Sequence, residues 1–113
     1  MDANEYQQLA MKTSGMTNFE DRLTGAVMGL AGETGEIADL AKKLFFHDHP
    51  LDQKTLEKFR DETGDVLWYV ALLCTAFGWN MGDVMTRNVE KLKKRYPAGF
   101  SAEASINRNV LTE

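Results

Sequence analysis

The chain is predicted to be all-α, and three features of the sequence carry that prediction. Apolar residues recur at helical spacing over long stretches, no stretch alternates apolar and polar with a period of two, and Pro50 and Pro97 are the two prolines. A first short helix is expected from about Asp2, a good N-cap, through Tyr6, Leu9 and Ala10, ending by Gly15. A second is expected to begin near Asp21 to Leu23, carrying Leu23, Val27, Leu30, Ile37, Ala41 and Leu44 on one stripe. It should stop at the polar turn His47-Asp48-His49-Pro50. The third has Asp52 as its cap, continues the stripe through Leu56, Phe59, Thr63, Val66, Val70 and Leu73, and meets its stop signal at Gly78. A fourth runs from Asn80 to Pro97, with Asp83 in its first turn and Lys93, Lys94 and Arg95 in its last. From Ala98 the pattern fades, so a single domain with a core of about residues 20–97 and a polar tail over 98–113 is expected.

Composition narrows the function classes. The chain has 113 residues, with 13 Lys and Arg against 17 Asp and Glu, a net charge of −4. That surface has no general attraction for nucleic acid or an anionic membrane, so any polyanion must be bound at a local site. One cysteine, Cys74, allows no internal disulfide, and the opening MDANEYQQLAMK lacks the apolar core of a signal peptide. A cytoplasmic setting is the expectation. The longest apolar run, Val66 to Phe77 broken at Thr75, spans 12 residues. Crossing a bilayer takes about 18 to 20.

That run makes the third helix apolar on nearly every side, with Trp68, Tyr69 and Leu72 directed away from the stripe of Val66, Val70 and Leu73. Three other helices of one protomer are not expected to cover it. The bundle is therefore expected to be completed by oligomerisation, as a homodimer or homotetramer.

The most informative feature is a near-repeat. Glu33-Thr34-Gly35-Glu36 recurs as Glu62-Thr63-Gly64-Asp65, and the 29-residue offset extends to Val27 and Leu56, Leu30 and Phe59, Ile37 and Val66, Ala41 and Val70, and Leu44 and Leu73. At about 100° per residue, each first acid lies about 60° and each second acid about 120° from the apolar residue that precedes the motif. The midpoint of the two segments falls on His49, in the predicted turn. If helices two and three form an antiparallel hairpin, the pairs come level, roughly 22 Å from the tip. Four carboxylates then converge, which is repulsive unless a cation lies between them. Oxygen donors without thiolate or imidazole suit Mg²⁺ or Mn²⁺. Gly32, Gly35 and Gly64 each precede one of these acids inside a helix at a cost of about 1 kcal/mol relative to Ala, which suggests space kept for metal, water or ligand. The competing reading is a pair of solvated faces forming salt bridges with Lys42, Lys43 or Arg60.

Taken with Gly32-Glu33-x-x-Glu36, 25 further residues and Glu62-x-x-Asp65, the segment Asn88-x-x-Lys91-Leu92-x-x-Arg95-Tyr96-Pro97 completes a pattern over roughly residues 20–100. It resembles the MazG-like nucleoside triphosphate pyrophosphohydrolases, in their compact single-domain form. The resemblance implies an all-α, Mg²⁺-dependent oligomer whose protomers pair into four-helix bundles. It implies cleavage of a nucleoside triphosphate between the α and β phosphates, giving a monophosphate and pyrophosphate, in clearance of noncanonical or surplus nucleotides. Glu33, Glu36, Glu62 and Asp65 would then be the catalytic metal ligands, one Glu orienting or deprotonating water. Asn88, Lys91, Arg95 and Tyr96 would contact phosphate and sugar. Many relatives carry a further Glu where this chain has Gly32, so the number of ions is not fixed by the resemblance.

Two other functions fit the same acids: a phosphoribosyl-ATP pyrophosphohydrolase, and a non-catalytic helical module that binds metal or nucleotide. Di-iron chemistry is disfavoured because neither helix has a Glu-x-x-His pair beside its acids. His47 and His49 read as turn residues, Cys74 as a small buried hydrophobe, and Trp68, Trp79 and Phe100 as packing or base-stacking aromatics.

Overall fold

The computed structural model describes residues 1–108, and among them the regular structure is entirely helical. Five helices follow in order: α1 (Ala3–Met11), α2 (Phe19–Phe46), α3 (Gln53–Ala76), α4 (Met81–Arg95) and α5 (Ala102–Ile106). Capping explains most of these limits. Asp2 accepts from the Glu5 N–H at 2.8 Å and Asp52 from the Thr55 N–H at 2.9 Å, as their sequence positions predict. Helix α2 begins earlier than its apolar stripe, because Asn18 accepts from the Asp21 N–H at 2.9 Å and adds a polar first turn. At the end of α3, Gly78 takes φ +72° and the Trp79 N–H reaches back to the Cys74 carbonyl at 2.9 Å, a left-handed helix stop. The expected patternless tail is corrected in part. Ser101 accepts from the Ala104 N–H at 3.0 Å and starts the five-residue α5. Residues 109–113 of that tail lie outside the described residues.

Helices α2 and α3 form the antiparallel hairpin around which the rest is arranged. Its register is visible at two glycines. A Cβ on Gly29 would fall 2.1 Å from the Tyr69 ring, and one on Gly25 would fall 3.7 Å from Leu72. Residues 29 and 69 are equidistant from position 49, so the hairpin folds about the midpoint that the repeat predicts.

Helix α1 lies across α3 and covers part of its apolar run. The Trp68 indole N–H donates to Thr13 Oγ1 at 2.8 Å and to the Ala10 carbonyl at 3.2 Å, and Tyr69 seats on Gly29. Leu72 is 0% exposed, and Ala71 and Cys74 are also buried, while Val66, Trp68, Tyr69, Val70 and Leu73 are half-buried, so α1 and α2 cover the run in part. Leu67 and Phe77 of the run stay exposed, as do Val27 and Met28 on α2, Phe45 and Phe46 at the tip, and Met85, Val89 and Leu92 on α4.

Helix α4 is held by α1 rather than by its own cap. Asn80 makes no side-chain cap bond; Gln7 Oε1 accepts from the Met81 N–H at 2.7 Å and Asn4 Oδ1 from the Gly82 N–H at 2.9 Å. The Gln7 amide also donates to Thr75 Oγ1 at 3.1 Å and to the Trp79 carbonyl at 2.9 Å, joining α1, α3 and α4 at one corner.

A candidate metal centre on the central hairpin

The repeat and the hairpin register together put both acidic motifs at one height. Glu33 and Glu62, half-buried, and exposed Asp65 each offer an oxygen, and these atoms lie within 4.8 Å of one another. Three carboxylates at that distance repel strongly unless protons or cations intervene. Glu33 shows the strain most. Its carboxyl is pushed up to about 7, first by its hydrogen-bonding approach to Glu62, then by loss of water and by the charges of Glu62, Asp65 and Glu36. Glu33 Oε2 is also closed off from water and meets no donor. An acceptor buried without a partner beside two further acceptors is suited to a hard divalent cation, whose ligands are oxygens.

Glu36 acts on Glu33 by charge but lies outside the close group of three. The competing salt-bridge reading is not realised in the structure. Lys42 and Lys43 are engaged by Asp39 at 3.1 and 2.9 Å, and no ion pair to Glu33, Glu36, Glu62 or Asp65 occurs among the described residues. The glycines support the idea of kept space: a Cβ at Gly32, Gly35 or Gly64 would meet nothing within 4 Å.

The other four candidates lie on α4 and at its C-cap, Tyr96. Asn88 and Lys91 are exposed and Arg95 and Tyr96 half-buried, on a helix whose principal contacts are with α1 and α3. No α4 cation is among the charges acting on Glu33. His47 ends α2, both ring-bearing turn residues are exposed, and Cys74 is buried with its thiol pushed up by loss of water. Trp79 stacks on Phe77 at 4.7 Å, and Phe77 meets Phe19 edge-on at 5.3 Å, so these aromatics have structural partners.

Two neighbours of the acids escape a reading of the sequence. Tyr6 has its phenol pushed up by burial and then by the charge of Asp65, although 59 positions separate them. Only the folding of α1 over α3 reveals that proximity. Asp39 is legible in hindsight, three residues after Glu36 on the same side of α2.

Residues 23–100 match the family described as the MazG nucleotide pyrophosphohydrolase domain. The chain is 37% identical over 87 residues to the Gene 37 protein of Mycobacterium phage L5, covering 76% of each chain. No solved structure matches.

Proposed function

The chain belongs to the MazG nucleotide pyrophosphohydrolase family, and from that premise we propose that it hydrolyses a nucleoside triphosphate between its α and β phosphates, with Mg²⁺, or Mn²⁺ in its place, held by Glu33, Glu62 and Asp65. The observation that carries the reading is the donor-less, water-excluded Glu33 Oε2 inside a group of three converging carboxylates. A bound divalent ion supplies charge neutralisation of the phosphates and a lowered pKa for coordinated water. In the reaction the water oxygen forms a bond to the α-phosphorus. The bridge oxygen to the β-phosphorus leaves with its electron pair as pyrophosphate, and one water proton is lost.

The chain's own residues do the positioning. Glu36, exposed and one turn from Glu33, is placed to accept the water proton, while the open surface at Gly32, Gly35 and Gly64 leaves room for the polyphosphate. Asn88, Lys91, Arg95 and Tyr96 are assigned to phosphate and sugar contacts.

A homodimer or homotetramer is part of the proposal. The radius of gyration is 17.3 Å, against about 13 Å for a compact domain of this length. The accessible surface is 8304 Å², about 2,000 Å² above that of a compact monomer of this mass. An excess of that order is within the scale of an obligate interface, and Val27, Met28, Met85 and Val89 are apolar residues available to it. No helix among the described residues is long and apolar enough to cross a membrane, and action on a cytoplasmic nucleotide pool fits the reading.

The test is a panel of ribo- and deoxyribonucleoside triphosphates, with phosphoribosyl-ATP included, incubated with the protein and Mg²⁺ while pyrophosphate is measured. Release from at least one, abolished by Asp65→Asn, is expected. Silence across the panel by a protein that still binds the metal would remove the hydrolytic reading in favour of a binding module.

A further inference from the structure

The surface on the tip side of the acids carries three lysines that the reading above leaves unused. On α2, Lys43 lies seven residues beyond Glu36 and so returns to nearly the same face, with Asp39 between them. Asp39 accepts from Lys43 Nζ at 2.9 Å and from Lys42 Nζ at 3.1 Å. Helical side chains lean toward the N-terminus, and this clamp fixes both ammoniums at the level of Asp39. That level is one turn from Glu36, about 4.5 Å along the axis. Glu36 is also among the charges that stabilise the Lys43 ammonium, after Asp39.

Helix α3 repeats the order. Lys58 lies four residues before Glu62 and seven before Asp65, on the same stripe. The register that sets Gly29 against Tyr69 puts the Lys58 backbone level with Leu40, and its side chain leans toward the N-terminus of α3, on the tip side of the acids. No ion pair engages Lys58 among the described residues. Both helices thus carry carboxylates nearer the hairpin's middle and ammoniums nearer its tip.

From this juxtaposition we infer that Lys43 and Lys58, with Lys42 beside them, form a phosphate-binding tier that holds the terminal pyrophosphate portion of a nucleotide whose α-phosphate lies at Glu33, Glu62 and Asp65. The inference rests on the hydrolytic reading for its substrate. It adds the direction in which that substrate lies: terminal phosphates toward the tip, nucleoside toward α1. Lysines are compact point charges suited to phosphate oxygens, and two of these are already ordered by Asp39, so less side-chain freedom is lost on binding. From Glu33 to Asp39 is six residues, about 9 Å along α2, a length along which consecutive phosphates can pass from the acids to the lysines.

The experiment titrates magnesium pyrophosphate into the full chain by calorimetry, comparing the wild type with Lys43→Ala, Lys58→Ala and, as a remote cation, Lys94→Ala. Affinity is expected to fall at least tenfold for Lys43→Ala and Lys58→Ala and to stay within twofold for Lys94→Ala. Mn²⁺ affinity, titrated separately, should be unchanged in all three. Pyrophosphate affinity within twofold of the wild type in both tier variants overturns the inference, as does a wild type that binds no magnesium pyrophosphate. The outcomes separate the two proposals. A wild type that hydrolyses no nucleotide yet binds pyrophosphate through these lysines upholds the tier while the hydrolytic reading fails. A wild type that hydrolyses nucleotides while the lysine variants keep their KM and pyrophosphate affinity overturns the tier alone.

Discussion

In the half of the α2–α3 hairpin away from its tip, Gly25 lies under Met16 and Gly29 under the Tyr69 ring, where an added Cβ would fall 2.7 and 2.1 Å from those side chains. A turn or two further along α2, and across on α3, Gly32, Gly35 and Gly64 face open space. The same residue type in one hairpin therefore permits close helix approach in one region and leaves a surface uncovered in the other. The closed region fixes the separation and register of the two helices. The open region uses that fixed geometry to hold acids at a distance where they repel, which is how folding energy from one part sustains an unfavourable arrangement in another.

The contrast can be broken most severely at the acids themselves. Asp65→Asn and Glu33→Gln are expected to lower kcat by about 10³-fold, roughly 4 kcal/mol of barrier. The melting temperature of the metal-free protein should hold or rise, because like-charge repulsion is relieved. A melting temperature that collapses along with kcat would make these acids structural. The closed region should respond in the opposite way: Gly29→Ala drives a methyl into the Tyr69 ring and should cost about 2–3 kcal/mol, seen as a fall of roughly 10 °C or more in melting temperature. Gly64→Ala meets no obstacle and should gain up to about 1 kcal/mol of stability through helix propensity, while nucleotide turnover falls because the methyl enters the space kept beside Asp65. Full turnover in that variant would sever this glycine from the site.

The smallest effect is in pH. Glu33 binds its proton more tightly in the folded chain, at about 7, than its ordinary value of 4.5. Between those values the folded state holds a proton that the unfolded state has lost, so stability without metal declines as pH rises through the window and levels off above it. Differential scanning calorimetry should show that decline. Mg²⁺ or Mn²⁺ should raise the melting temperature more at pH 8 than at pH 5, since metal and proton compete for the same oxygens.

Much of this was legible before folding. Asp2 and Asp52 mark helix starts because a short side-chain oxygen can satisfy a free N–H locally, and Gly78 marks a stop because it accepts a positive φ. The beginning of α2 was placed late because Phe19 to Arg22 lack the apolar stripe, and the Asn18 cap carries the helix there instead. How far one protomer covers α3 was less legible: the shelter of Trp68 depends on α1, more than fifty residues away in sequence, and periodicity within α3 has no information about it. At the site, the level of the two acidic motifs followed from the repeat, whereas the exclusion of Glu36 from the close group and the clamp of Lys42 and Lys43 by Asp39 did not.

By itself, then, the sequence determined an all-helical chain, a hairpin folding about position 49 and two acidic motifs brought level, because capping, helical period and an internal repeat are local or follow from counting residues. Only the tertiary structure decided which oxygens meet, that Glu33 retains its proton to about 7, that Tyr6 comes within reach of the charge of Asp65, and that the lysines are held by Asp39 rather than by the motif acids. Those outcomes depend on rotamers, on loss of water and on distances of a few ångströms between helices, where electrostatic energies change steeply.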